Sequence, residues 1–278
     1  MSVLSFCLYL FIGSSLAGLI GALTGLGGGV LLVPMLALLF HVNLRYAVGA
    51  SLISVIATSS GAAAAYLSEG YTNLRIGMFL QVAATMGAVF GAILASHLHS
   101  TTVSIIFGIV LLYSGYASFR RQEEGDSEQP SDRLAVHLGM EGSYPVPGGW
   151  KSYRVYNVAG GSSLMLIAGT LSGLLGIGSG AVKVLAMDQM MRLPYKVSTT
   201  TSNFMIGITA AASAGVYFVQ GFVDPGLTMP VMLGVLLGAF SGAKLLMLVP
   251  VRPLRIFFSI IIFIMAVEMI YSGVTGKL

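Results

Sequence analysis

Long apolar segments separated by short polar loops dominate this chain. They cover residues 3–40, 46–68, 76–96, 102–119, 162–190, 198–220, 227–250 and 253–273. Most of them reach the ~20 residues that a helix needs to cross the hydrocarbon of a bilayer. The strict alternation of apolar and polar positions that marks the strands of a membrane barrel is absent. The pattern therefore predicts an all-α polytopic membrane protein.

Two of the apolar segments are broken by glycines at matching places. The breaks consist of Gly25, Gly27, Gly28 and Gly29 in the first half, and of Gly176, Gly178 and Gly180 in the second. A helix in hydrocarbon must satisfy its backbone groups internally, so such breaks are tolerated only where the freed groups face protein, water or a ligand. Paired breaks of this kind indicate a substrate site in transporters.

The two halves of the chain repeat each other. A shift of 151 residues aligns 21–92 with 172–243 without a gap. The glycine breaks then coincide, and Ser51 meets Ser202, Thr58 meets Thr209 and Tyr66 meets Tyr217. Shared spacing of residues that shape the backbone predicts an internal duplication.

Loop charges indicate how the halves are oriented, since cytoplasmic loops carry the excess of Lys and Arg. If segments 3–40 and 162–190 each cross once, the loop charges divide five against seven. If each goes in and returns, they divide ten against two, leaving Arg45 and Lys277 alone on one face. We therefore predict inverted repeats, each with a glycine-broken helical segment and three spans, a cytoplasmic central loop and both termini outside.

This topology gives three regions. They are a first membrane repeat over 1–119, a linker loop over 120–161 and a second membrane repeat over 162–278. The linker contains a stretch from Leu134 to Tyr156 with enough apolar and aromatic residues to form a small hairpin cap. Whether this loop is regulatory stays open.

Composition agrees with a membrane protein and excludes several other classes. Hydrophobic residues make up 56% of the chain and charged residues 9%, with a mean hydropathy of +0.89; soluble domains carry about 25% charged residues. The basic pI of 9.2 comes mainly from loop residues, so the bilayer and not nucleic acid is the expected partner. No Lys or Arg precedes Arg45, so a cleaved signal peptide is not expected.

Apart from Arg255 at the start of the last segment, four charged residues interrupt the apolar segments of the second half: Lys183, Asp188, Lys244 and Glu268. Lys244 and Glu268 lie close enough to a span end to reach the interface, and Asp188 is one helical turn from Arg192. Lys183 has no carboxylate at a spacing of three or four residues. Intramembrane charge is costly and marks function, so Asp188 and Glu268 are candidates for proton coupling and Lys183 for anion binding.

The predicted anion site combines the breaks with nearby polar side chains. A helix that begins after Gly180 would point its free amides at the break, with Ser179 and Lys183 beside it. The next span opens with the run Ser198 to Asn203, whose hydroxyl and amide donors suit an oxyanion. The candidate ligands in this run are Thr200, Thr201, Ser202 and Asn203, with Ser51 as the counterpart of Ser202 in the first half.

Two stretches carry a family resemblance. Gly25-Leu26-Gly27-Gly28-Gly29 followed by Val33-Pro34, and the run from Thr200 through Asn203-Phe204-Met205-Ile206-Gly207 to Ala211, resemble the repeat signatures of the TauE/SafE sulfite exporters, also described as organosulfonate permeases. The resemblance implies a transporter of sulfur oxyanions in a bacterial or archaeal inner membrane. The second break departs from the signature because Ser179 stands where Gly28 does and Lys183 follows, which bears on the substrate.

We therefore expect a secondary transporter of small sulfur-containing anions, driven by an ion or proton gradient, without a cofactor or metal. No phosphate-binding Gly-Lys-Ser/Thr motif for ATP is present in the sequence. An anion channel using the same pore is the alternative. An intramembrane enzyme is more remote, since Ile177 breaks the Gly-x-Ser-x-Gly pattern around Ser179 and His97 and His99 have no partner motif. The particular anion, the direction of transport and whether the protein forms a homo-oligomer stay open.

Overall fold

The computed structural model describes residues 3–24, 29–68, 70–119, 131–146, 149–246 and 251–276. The first half contains α1 (Val3–Thr24), α2 (Gly29–Pro34), a π-helical turn π1 (Met35–Leu39), α3 (Leu44–Ser68), α4 (Leu74–His97) and α5 (Ser100–Phe119). Between the halves lie α6 (Arg133–His137), β1 (Gly142–Val146) and β2 (Gly149–Tyr153). The second half contains α7 (Val158–Leu175), α8 (Gly180–Leu185), π2 (Ala186–Met190), α9 (Tyr195–Val219), α10 (Pro225–Leu246) and α11 (Val251–Thr275).

The element boundaries recur with the spacing found in the sequence. The helices α2 and α8, the turns π1 and π2, and the helices α3 and α9 start and end 151 residues apart. The same shift relates residues with positive φ, His41 to Arg192 and Gly70 to Gly221. The matching positions in the sequence therefore correspond to matching backbone conformations.

Each half opens with a helical hairpin, formed by α1 with α2 and π1 in the first half and by α7 with α8 and π2 in the second. In the first half the rings of Phe6, near the start of α1, and Phe40, just after π1, lie 6.2 Å apart. In the second half the amide of Tyr156, just before α7, donates to the Met191 carbonyl, just after π2. The segment formed by α2 and π1, like the one formed by α8 and π2, therefore returns toward the end from which its hairpin started.

Equivalent helices of the two halves run in opposite directions where they touch. Along α3 and α9, Gly49 lies against Phe222 while Ser59 lies against Gly207. The helices α5 and α11 behave alike: Gly108 contacts Ile270, and Gly273, one turn further along α11, contacts Thr101, which lies earlier on α5. In addition, α1 packs along α10 and α7 packs along α4, so each hairpin is held by the other half.

Small residues bring the backbones of these helices close together. Gly87 on α4 faces the Leu166 carbonyl of α7, and Gly169 on α7 faces the Ala84 carbonyl of α4. Gly238 on α10 faces the Ser15 carbonyl of α1 in the same way. Small residues of this kind let membrane helices gain dispersion and polar contacts that lipid-facing side chains cannot supply.

The segment between the halves forms a small cap over one end of the helices. Strands β1 and β2 make an antiparallel hairpin, with Gly142 opposite Tyr153, which agrees with the hairpin predicted from the sequence. Asn73, at the start of α4, donates its side-chain amide to the Met140 carbonyl and to the Tyr153 hydroxyl. Burial raises the pKa of Tyr153 and outweighs the opposing effect of the Asn73 hydrogen bond, so this phenol stays neutral.

Five of the described helices are long and apolar enough to cross a membrane. Their candidate spans are Leu4–Gly21, Leu74–His97, Val158–Leu175, Tyr195–Val219 and Pro225–Gly242. Shorter apolar helices cover Gly29–Leu39, Ser100–Tyr113 and Ile260–Thr275. The chain is therefore a mainly helical, multi-pass membrane protein.

The helix contacts predict which glycines tolerate a methyl group. In Gly87→Ala the new Cβ would collide with the Leu166 carbonyl and lie 2.9 Å from the Thr170 nitrogen; overpacking of this kind costs about 1–3 kcal/mol. We expect a lower thermal unfolding midpoint for this variant in detergent. The control is Gly215→Ala on α9, where nothing lies within 4 Å, and its midpoint should stay equal or rise. Equal losses in both variants would contradict the close α4–α7 packing.

Candidate functional site

The second glycine break meets the end of the first beside Ser51. The hydroxyl of Ser51 on α3 donates to the Gly176 carbonyl at 2.8 Å and lies 3.5 Å from the Gly29 carbonyl. On α9, Ser202 repeats this arrangement by donating to the Gly180 carbonyl at 3.3 Å. Both serines are buried. Ser51 supplies a partner for the Gly176 carbonyl, which follows the end of α7, and Ser202 joins the start of α8 to α9. Gly25, Gly27 and Gly28, also predicted for the site, lie outside the described residues.

The second break has a backbone that only a few residue types adopt easily. Gly176 and Gly178 both have φ near +70°, which glycine accepts without a steric penalty. Ser179 has φ +47°, is 3% exposed, and its hydroxyl has no hydrogen-bond partner among the described residues. Gly178 contacts Val55 and Ile206, near the middles of α3 and α9. A strained residue with an unpaired buried hydroxyl is typical of a functional position.

Lys183 lies on α8, three residues after that helix begins at Gly180, and its side chain is completely buried. Its ammonium donates to the Thr209 hydroxyl on α9 at 2.7 Å. Among the described residues, no carboxylate lies within ion-pair distance of this ammonium. A buried charge is costly unless it is paired, and an ammonium carries three donors. Lys183 is therefore a fully buried amine that is bonded to a hydroxyl and has no carboxylate partner in the described part of the chain.

Thr209 and Gln81 complete a polar cluster around this lysine. The Thr209 hydroxyl donates to the Met205 carbonyl and accepts hydrogen bonds from Lys183 and from the side-chain amide of Gln81 on α4, the latter at 3.1 Å. The Gln81 amide also donates to Thr85 at 2.7 Å. Its carbonyl oxygen is buried and has no partner in the described part of the chain. The cluster joins α8, α9 and α4, which belong to different halves.

The polar run at the start of α9 divides among several roles. The Thr200 hydroxyl donates to the Lys196 and Val197 carbonyls within its own helix. The Thr201 hydroxyl accepts a hydrogen bond from the backbone amide of Asn73 and so joins α9 to the start of α4. Asn203 is half-buried on α9. The hydroxyl that meets Lys183 is that of Thr209, seven residues beyond Ser202. The polar run from Ser198 to Asn203 thus bonds to the second break and to neighbouring helices, and not to the Lys183 ammonium.

The two predicted proton-coupling residues are not among the contacts of Lys183. Asp188 is half-buried on π2, and Glu268 is exposed on α11, which packs mainly against α5. Sequence reasoning named neither Gln81 nor Thr209 as a site residue. Two signals could have done so, because Gln81 is an isolated amide in an apolar helix and Thr209 matches Thr58 in the repeat.

The Lys183 contact predicts the effect of removing its acceptor. Thr209→Val keeps the shape of the side chain but leaves a buried donor unpaired, at a cost of about 1–3 kcal/mol. Thr58→Val is the matched control, since Thr58 bonds only within its own helix. We expect a larger fall in the unfolding midpoint for Thr209→Val, and recovery when Lys183→Met is added. No recovery would mean that the lysine charge is not the source of the loss.

Comparisons with known proteins place the chain in a family. It is similar to two Bacillus subtilis (strain 168) proteins, the probable membrane transporter proteins YunE, at 24% identity over 98% of this chain and 99% of the relative, and YdhB, at 30% identity over 84% and 88%. A probable membrane transporter protein of Methanocaldococcus jannaschii is 22% identical over 94% of each chain. No solved structure matches. The family model described as sulfite exporter TauE/SafE matches residues 10–269, so the chain belongs to the TauE/SafE sulfite exporter family, as the sequence signatures indicate.

Proposed function

We propose that this protein is a secondary transporter of small sulfur-containing anions, such as sulfite or organosulfonates. The observation that carries the proposal is the Lys183 ammonium, which is fully buried beside the helix break and bonded to a hydroxyl instead of a carboxylate. An anion at this point would pair the charge and so offset the cost of burying it. The family description and the relatives' description as probable membrane transporters support this reading.

The groups around Lys183 favour an oxyanion over a halide. The Ser179 hydroxyl is unpaired within the described structure. The Gln81 side-chain amide donates a hydrogen bond to the Thr209 hydroxyl. Rearrangement of these groups would present several donors to the oxygens of one small anion, while the ammonium would meet its charge. A sulfite or sulfonate group fits this combination of charge and several acceptor oxygens.

We further propose that the halves, residues 1–119 and 162–278, are inverted repeats that alternate access around the breaks. The opposite directions of α3 and α9, and of α5 and α11, support this arrangement. The pairing of each hairpin with a helix of the other half gives two bodies that can rock against each other, as in other transporters with inverted repeats.

The cap is proposed to face the cytoplasm of a bacterial or archaeal cell, with the protein in the inner membrane. Three basic residues contact the cap or lie beside it: Arg75 donates to Gly139, Arg192 lies over Tyr156, and Lys196 lies over Tyr71. At the other end of α4, Arg45 donates to the Ser96 and Leu98 carbonyls. This bias agrees with the excess of Lys and Arg in cytoplasmic loops.

Ligand binding tests the proposal directly. Purified protein in detergent should gain thermal stability with one or more of sulfite, sulfate, thiosulfate, sulfoacetate and taurine, because a ligand that binds only the folded state stabilises it. Lys183→Met should abolish that gain, whereas Lys151→Met, which removes a charge from the exposed hairpin, should keep it. An undiminished gain in Lys183→Met would remove the lysine from the site. In liposomes, saturable flux driven by a gradient would indicate a transporter, and ionic currents would indicate a channel.

Proton coupling is a separate proposal and rests on Asp188 and Glu268. We expect the double variant Asp188→Asn, Glu268→Gln to lose the pH dependence of anion flux in proteoliposomes, since neither replacement can exchange a proton. Single variants would show which residue is responsible. Unchanged pH dependence in the double variant would exclude both residues as the coupling groups.

A further inference from the structure

Two cation–π contacts join the halves at equivalent positions. The guanidinium carbon of Arg45 lies 5.3 Å from the centre of the Phe222 ring. The ammonium nitrogen of Lys196 lies 5.5 Å from the centre of the Tyr71 ring. Lys196 follows Arg45 by 151 residues, and Phe222 follows Tyr71 by the same number. Each contact therefore takes its cation from one half and its ring from the other.

The two contacts lie at opposite ends of the molecule. Arg45 is at the start of α3, where the end of α9 packs, and Lys196 is at the start of α9. Each of these helices has 25 residues, which corresponds to about 37 Å at 1.5 Å per residue. One contact therefore closes the gap between the halves at each face of the membrane.

The Arg45 contact lies close to the second break. Arg45 lines a small cavity together with Val48, Leu174 and Tyr217. Val48 contacts Gly176, and Tyr217 donates to the Leu174 carbonyl, two residues before that glycine. These contacts connect the position of Arg45 to the second break.

The Lys196 contact lies under the cap. The hydroxyl of Tyr71, whose ring holds Lys196, donates to the Pro145 carbonyl of β1, and Trp150 of β2 packs against Gly70. At the other face, the equivalent Phe222 contacts Tyr46 and Tyr217. The β1–β2 hairpin thus holds the Lys196–Tyr71 pair in addition. In the described part of the chain, no such element covers the Arg45–Phe222 pair.

Both contacts are formed at once, and the site between them is closed. Ser51 and Lys183 have no exposed surface. A path with alternating access must open at one face while the other stays closed. Opening at either face requires the cation and the ring at that face to separate, because they belong to different halves.

We propose that Arg45 and Lys196 are anion-binding latches at the two mouths of the path. This inference rests on the proposed transport of anions. A charge-assisted hydrogen bond to an oxyanion is stronger than a contact with an aromatic face, so an arriving anion draws the cation from the ring. Binding of the anion and opening of that mouth are then one event, and the cation makes the first contact with the substrate.

Labelling of a cysteine at the centre tests the latches without any substrate. The starting protein carries Cys7→Ser and Val55→Cys, a buried position beside Gly178 at the break, and a membrane-impermeant maleimide is added to one face of sealed vesicles. Arg45→Gln should raise the labelling rate several-fold from the face of Arg45 and lower it from the cap face. Lys196→Gln should have the opposite effect. Equal changes from both faces, or no change in either variant, would overturn the proposal.

Replacing the rings separates the latch from the binding role of the cation. Phe222→Leu and Tyr71→Leu keep an apolar side chain and both cations, so they should change the labelling as Arg45→Gln and Lys196→Gln do. If only the cation variants change the labelling rate, then other bonds of the cation, such as those from Arg45 to Ser96 and Leu98, keep that face closed. The cation–π latch is then excluded.

An anion added to the same assay tests the second part of the proposal. Sulfoacetate should raise labelling from the face of Arg45 in the starting protein, but not in Arg45→Gln. An equal response in both would exclude Arg45 as the first contact. If sulfoacetate has no effect on any variant while the substitutions alone shift labelling in opposite directions, the latches stand and this anion is not the substrate. A failure of the proposed function is thereby distinguished from a failure of the latches.

Discussion

The structure depends on one constraint, that polar groups buried in an apolar interior must find partners inside the protein. At the second helix break, two buried serines on neighbouring helices, Ser51 and Ser202, donate to the carbonyls of Gly176 and Gly180. The same constraint applies with greater force to Lys183, because its amine is fully buried and has several donors to satisfy. Thr209 satisfies one of these donors, and the proposed anion would satisfy the others.

Close backbone contact is the second requirement that this arrangement meets. Without a hydrophobic driving force between helices in lipid, association depends on dispersion and polar contacts at short range. Glycines such as Gly87 and Gly169 permit this approach along α4 and α7. Since each hairpin packs on a helix of the other half, the break of one half is positioned by the other half, and relative motion of the halves would act directly on the site.

The duplicated scaffold is asymmetric where chemistry is expected. Ser51 and Ser202 keep the same role, but Lys183 and Ser179 replace Leu32 and Gly28, and Gln81 reaches the lysine cluster from the first half. The cap adds a second asymmetry, because it covers the end where α4 and α9 begin. In the proposed function, a repeated frame with Lys183 in only one half would give an anion one preferred place along its path.

The sequence by itself determined the membrane class, the position of both breaks, the 151-residue repeat and the exceptional character of Lys183. These features are local, since hydropathy, glycine conformation and the cost of an isolated charge act over a few residues. Only the tertiary structure decided that Thr209 bonds to both Lys183 and Gln81, that Asn73 joins Thr201, and that Arg45 and Lys196 lie over rings of the opposite half. Those partners are up to 177 residues apart in the sequence, and their meeting depends on how helices pack across the two halves, which no local pattern specifies.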